Sequence, residues 1–166
     1  MILGHPPIRL ALILLMLSAA IGDVCANPAN HKNLALSNEA QAAVIAGIEL
    51  SFTSNYAILR QWGPITTTAG EQKHHFLLLR HALSKRYIVK VDGQDTPNIF
   101  RSVGEAVNFI SSQARMKLEF YSSRSPEYAM RIALNKFELP APLRLKAFLS
   151  TSWDIDTGWI RWASVN

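Results

Sequence analysis

Three histidines, a pair of aspartates and a group of tryptophans are the side chains here whose types and spacing could do chemistry. His74, His75 and His81 stand within eight residues of one another, the density at which metal ligands occur. On a strand, successive side chains alternate between faces. His75, Leu77, Leu79 and His81 then share one face, and His74, Phe76, Leu78 and Arg80 share the other. Six extended residues place His75 and His81 about 20 Å apart, and zinc–imidazole bonds are only about 2.0–2.1 Å long. One ion cannot take both, and the adjacent His74 and His75 point to opposite sides. The spacing predicts two surface histidines and one beside a hairpin turn, with no metal and no other cofactor.

Asp154-Ile155-Asp156-Thr157-Gly158 resembles the first half of a calcium loop. The twelfth position of such a loop is Val165, where a bidentate glutamate is required. The segment reads instead as a polar turn, with Gly158 taking the backbone angle that other residues resist. As a catalytic pair, Asp154 and Asp156 lack an identifiable acid, base or nucleophile to work with. Trp153, Trp159 and Trp162 crowd the C-terminus, with Arg161 between the last two. Such aromatics beside arginine can stack on sugars or on a peptide, but they also bury about 150–250 Å² each and build cores. Arg80, Arg86, Arg144 and Trp162 form the candidate interaction surface that the sequence offers. Phosphate-binding glycine loops, dinucleotide fingerprints, paired CxxC, HExxH and GxSxG are missing.

The elements that must position these residues follow a leader. His5 and Arg9 precede the apolar stretch Leu10 to Gly22, and Val24-Cys25-Ala26 offers small residues at a cleavage site. The apolar stretch is 13 residues, shorter than the roughly 20 that span a bilayer. Residues 1–26 therefore read as a secretory signal, cleaved near Ala26, with an inner-membrane signal anchor as the alternative. Residues 27–36 are a short polar lead-in and residues 37–166 one domain. The protein is expected in the periplasm. The one cysteine, Cys25, leaves with the signal, so no disulfide-linked partner is expected and the fold must rest on its hydrophobic core. Lysine and arginine outnumber aspartate and glutamate 17 to 12. In that compartment the excess favours an anionic envelope component over nucleic acid.

Asn38, with Gln41 three residues on, predicts the start of a short helix that ends at Gly47. Ile48, Leu50 and Phe52 then alternate with polar residues in a strand extending towards Trp62. Gly63-Pro64 and Ala69-Gly70 bracket an expected threonine-rich turn. Lys73 to Ala82 and Arg86 to Val91 form a hairpin through Leu83-Ser84-Lys85, ended by Asp92-Gly93. Ser102 and Glu105 have capping-box spacing and open a second helix, predicted to reach about Arg115. Met116 to Tyr121, Tyr128 to Phe137 and Trp159 to Val165 read as strands, with a break at Pro140 and Pro142. Arg144 and Lys146, beside Leu143 and Leu145, read as the wet face of a half-buried segment. The fold class is mainly β (α+β): an antiparallel sheet or sandwich with two short packed helices.

Three stretches stand in a telling order: His81-Ala82-Leu83-Ser84-Lys85-Arg86-Tyr87-Ile88-Val89, then Phe100 to Ile110, then Leu139-Pro140-Ala141-Pro142-Leu143 with Trp153-Asp154-Ile155 and Trp159. They resemble the hairpin, the following helix and the C-terminal signature of domain-of-unknown-function family number 4390, a family of exported proteobacterial proteins. The resemblance spans about Leu36 to Ala163. It implies export, a small mostly β domain, no catalytic residues to carry over, and an accessory role near a membrane sensor kinase of the nitrogen-regulation type. It also implies a strand pair before the first helix, for which only Asn27 to Leu36 is available. The reading is a periplasmic, non-catalytic interaction domain whose partner is a membrane sensor protein or an anionic envelope component. The alternatives are an envelope glycan hydrolase or lyase and a small-ligand carrier.

Overall fold

The computed structural model describes residues 33–122 and 127–163. The signal-peptide and cleavage-site expectations, and most of the polar lead-in, lie outside them. Among the described residues, six strands form one antiparallel sheet in the order β4-β3-β2-β1-β5-β6. These are β1 (Leu50–Trp62), β2 (Ile65–Arg80), β3 (Tyr87–Val91), β4 (Asn98–Phe100), β5 (Glu127–Leu134) and β6 (Ile160–Ala163). Three helices accompany them: α1 (Asn38–Ile45), α2 (Val103–Ser122) and α3 (Ala141–Leu149). The mainly β, α+β class stands. The second layer is helical rather than a second sheet, and there are three helices where the sequence predicted two.

Alternation along β1 builds the core. Leu50, Phe52, Ser54 and Tyr56 are buried on one face, level with Phe76 and Leu78 of β2 and with Met130, Ile132 and Leu134 of β5. Ala106, Val107, Ile110, Ala114 and Leu118 of α2 pack on that face at helical spacing. Ala40, Ala43 and Val44 of α1 join the same cluster. Leu34 is buried there too, but residues 33–37 form no strand, so Leu36 and its neighbours do not supply the edge pair that the family pattern suggests. Polar atoms inside the core are tied. Ser54 Oγ donates to Tyr56 Oη at 2.9 Å, and Tyr56 Oη donates to the Ala114 carbonyl at 3.0 Å, joining β1 to α2.

Two of the expected helix-end residues, Gly47 and Ser102, hold as the sequence suggests, and one cap shifts by a residue. Ser37, not Asn38, caps α1 by accepting from the Ala40 N–H, and the Gln41 side chain reaches back to the Leu36 carbonyl. Gly47, at φ +88°, ends the helix: its N–H donates to the Val44 carbonyl while the Ile48 N–H donates to that of Ala43. Ser102 accepts from the Glu105 N–H, and Glu105 accepts from the N–H of Arg101.

Three expectations are corrected. The threonine run is not a turn, because Thr66, Thr67 and Thr68 pair with Gln61, Arg60 and Leu59 in the β1–β2 ladder. The turn is Gly63-Pro64 alone, with Gly63 at φ +57°, a two-residue hairpin with glycine first. Ala69-Gly70 marks the register shift opposite Ile58 and Leu59, a bulge rather than a loop. Met116 to Tyr121 continues α2 instead of forming a strand, since Ala114 and Leu118 extend the helical stripe into the core. The strand expected over Tyr128 to Phe137 ends at Leu134 and gives way to the 3-10 turn Lys136–Glu138, so Pro140 and Pro142 do not end it; they start α3, in whose first turn proline is tolerated. The short pair β4 with β3 has no periodicity that three residues could display.

The Tyr56 link gives the first prediction. Tyr56→Phe removes the hydroxyl that joins Ser54 to the Ala114 carbonyl and is expected to cost about 1–2 kcal/mol in urea unfolding, with an unchanged fold by circular dichroism. No loss of stability would show that the link contributes nothing.

Candidate functional site

Alternate residues of the same strands face away from the helices, and this second face is largely uncovered. Its rows follow from the register. Lys73, Asn55 and Arg131 lie side by side, as do His75, Thr53 and Ala133, and Glu71, Ala57, Ala129 and Arg161. Towards the β4 edge the row becomes apolar. Leu79, Ile88 and Ile99 are in register, with Leu79 and Ile88 half-buried and Ile99 63% exposed.

A solvent-open cleft of about 620 Å³ lies over the polar rows, lined by Thr53, Asn55, Lys73, His75 and Arg131. One wall is the 3-10 turn Lys136–Glu138 together with α3, brought to the start of β1 by the Asn135 N–H donating to the Ser51 carbonyl. Phe137 and Phe148 form that wall edge to face at 5.2 Å, and both are at least half exposed. A second open hollow of about 460 Å³ continues past His75 to Lys90 and Asp92.

The charges in the cleft fall into two sets. Arg131 holds Asp156 through two nitrogens, and the Asp156 hydrogen bond raises the Arg131 pKa above its ordinary value. Lys136 binds Asp154. Asp156 also accepts from the Gly158 N–H at 2.8 Å, with Gly158 at φ +68°, but the Asp154–Gly158 segment is not the polar turn expected: Asp156 bridges to Ala133, and the buried Ile155 and Thr157 bond to β5. Lys73 and Lys90 are exposed and have no ion pair among the described residues. With the Asn55 amide they make the face rich in donors, suited to a carboxylate, phosphate or sulfate group.

The three histidines separate as the strand geometry requires. His75 shares a hydrogen bond with Thr53 at 3.2 Å. A hydroxyl beside an imidazole is half of a nucleophile–base pair, but among the described residues no carboxylate bonds the far ring nitrogen to orient it. His81 accepts from the Ser84 N–H and organises the β2–β3 turn. His74 faces the helices, edge-on to Tyr56 at 5.7 Å, and its Nδ1 lies 2.9 Å from Lys117 Nζ. Among the described residues, no three histidine, cysteine, aspartate or glutamate side chains converge on a metal-sized space.

The arginines and tryptophans singled out by the sequence do not gather on one patch. Arg80 Nη1 donates to the Ile45 carbonyl at the end of α1, and Arg144 donates through Nε and Nη2 to the Leu139 carbonyl. Both spend donors on their own chain. Arg86 is exposed at the β2–β3 turn. Trp162 pairs with Tyr128, on the row of Ile58 and Gly70, and its side chain lies outside the described residues. That row is ten residues along β2 from Arg80, or about 30 Å. Trp153 is a core residue whose Nε1 donates to Glu39, and Trp159 is half exposed. Lys73, Asn55 and the Leu79–Ile88–Ile99 row were missed as candidates. The strand alternation puts them on one face, but their being uncovered depends on where the helices go.

Fold and face together define a class: a single-sheet α+β domain, helices on one side, with an open and donor-rich sheet face on the other. The family follows. Residues 31–163 match the model of the domain of unknown function DUF4390, and the chain belongs to that family. No curated protein and no solved structure matches the chain.

His74 supplies a pH prediction. Burial, and then the Lys117 charge, depress its pKa below 6.5, with Asp92 opposing and His75 adding slightly to the shift. The unfolded chain therefore takes up this proton at higher pH than the fold does. The contribution is complete above about pH 6.5 and is lost as pH falls towards the depressed value. His74→Gln is expected to flatten the pH dependence of stability over that window. An unchanged slope in urea unfolding between pH 7.5 and about 5 would refute it.

Proposed function

We propose that this protein is an exported, non-catalytic interaction domain that binds an envelope partner on the open face of its sheet. One observation carries the reading. The helices cover one face only, and the other presents Leu79, Ile88 and Ile99 beside the lysines and the aromatic-walled cleft. Aliphatic rows on an uncovered sheet face, next to polar groups, are a feature of recognition surfaces. The partner this favours has an apolar strip flanked by acidic groups. A membrane-bound sensor is the first protein to look for, as the family resemblance suggests, and an anionic envelope polymer is the second candidate.

Export is supported by the basic start, short apolar stretch and small-residue site of residues 1–26. The hydrolase alternative is weakened because Asp154 and Asp156 each hold a cation. The carrier alternative is weakened because the clefts described are open to solvent rather than enclosed.

The test is in-cell crosslinking of the tagged full-length protein, with fractionation to locate it and mass spectrometry of what it captures. One dominant envelope partner is expected. Ile88→Lys with Ile99→Glu should abolish its capture while leaving the circular dichroism and thermal transition near wild type. Recovery of the protein from the cytoplasm, or capture untouched by the double substitution, would overturn the reading.

A further inference from the structure

Strand β2 is 16 residues long, whereas β3 pairs with only its last five, Phe76 to Arg80. The chain then leaves at Asp92, whose N–H donates to the His75 carbonyl at 3.0 Å. From Ile65 to Lys73 no described strand lies beyond β2, although β1 pairs with its other edge there at every residue but Ala69. In an antiparallel ladder, alternate residues aim both backbone groups at the same edge. The Asp92–His75 bond shows which residues these are, so Lys73 and Glu71 point their N–H and C=O groups outward. Their side chains, both exposed, stand on the open face. The far end of the stretch is apolar: Trp62 and Ile65 pair at the hairpin tip, 69% and 62% exposed.

We propose that this edge is a β-augmentation site, taking a short extended segment of another protein as an added antiparallel strand. The inference rests on the interaction-domain reading and names the form of the partner. Backbone groups supply the affinity in this mode, and alternate side chains the selectivity. The partner strand would carry an acidic residue opposite Lys73 and, two positions later, a basic residue opposite Glu71, since opposite charges directly across a ladder stabilise it. An apolar residue would follow towards Trp62 and Ile65. The bulge at Ala69-Gly70 favours a short guest over a second copy of this chain, because it twists the edge away from long, flat self-pairing.

The probe is a synthetic peptide of alternating valine and threonine, with a central glutamate followed two positions later by lysine and ending in leucine. Its control has the glutamate and lysine exchanged. Fluorescence anisotropy with the full chain should show roughly tenfold preference for the first peptide. Hydrogen exchange should show new protection at Glu71 and Lys73. Exchanging the charges in the protein, Glu71→Lys with Lys73→Glu, should reverse the preference. Lys73→Pro removes one outward donor without touching the β1 ladder, and should weaken both peptides.

Equal binding of the two peptides, or no new protection on the edge, would overturn the inference. So would a concentration-dependent dimer protected at these residues, which would assign the edge to a second copy. If the Ile88→Lys, Ile99→Glu variant loses its cellular partner while the Lys73→Pro variant keeps it, the edge inference fails and the interaction-domain reading stands. If the wild-type protein captures no partner, that broader reading fails as well.

Discussion

Strand β1 is paired along both edges and must bury one face, and the remainder of the molecule is arranged to satisfy that demand. Its Leu50, Phe52 and Tyr56 side chains need an apolar layer above them, which α2 supplies along almost its whole described stripe. The demand extends to polar atoms, since an unpaired hydroxyl in that layer would be costly. The chain from Ser54 through Tyr56 to the Ala114 carbonyl meets it and fixes α2 across the strand at the same time. No equivalent layer covers the opposite face among the described residues. The asymmetry of the sheet is the source of its open face, and the shortness of β3 the source of the open β2 edge.

The segment that follows α3 shows how the bare face is kept ordered without a second layer. Thr157 stands in for a ladder residue: its hydroxyl accepts from the Ile132 N–H, and its own N–H donates to the Ile132 carbonyl. The Leu134 N–H donates to the Ile155 carbonyl, and Ala133 bridges to Asp156. The Arg131–Asp156 pair then clips this segment to β5 from the open side. Being partly exposed, such a pair adds modest stability, but its bidentate geometry sets the position of the segment well. Two carboxylates that look available in the sequence are thereby committed to holding the cleft wall.

Local signals were legible where one short-range force decided the outcome. The Ser102–Glu105 cap, the Gly47 terminator and the alternation of β1 and β3 depend on neighbours a few residues apart. The misread segments are those where two local signals compete. Thr66, Thr67 and Thr68 lie between glycine-containing pairs that suggest a loop, yet β-branched residues favour strands, and pairing with β1 prevails. Met116 to Tyr121 alternates like a strand and also continues a helical stripe. The burial of Ala114 and Leu118 against the sheet selects the helix. Pro140 and Pro142 suggest a strand breaker, yet β5 has already ended at Leu134 and the prolines start α3, a role that the segment's docking selects.

By itself the sequence determined the mainly antiparallel β class, the Ser102–Glu105 cap, the Gly47 terminator, the hairpin at Leu83-Ser84-Lys85 and the separation of the three histidines. These follow from side-chain period and backbone angles, which act over a few residues. The tertiary structure decided which sheet face the helices cover, and therefore that Lys73, Asn55, Ile88 and Ile99 are available to a partner. It also decided that Trp162 stands far along the sheet from Arg80 and Arg86, and that most of one edge of β2 is left open. Those outcomes depend on strand order and register between residues distant in the chain, a long-range pairing that periodicity along the sequence does not encode.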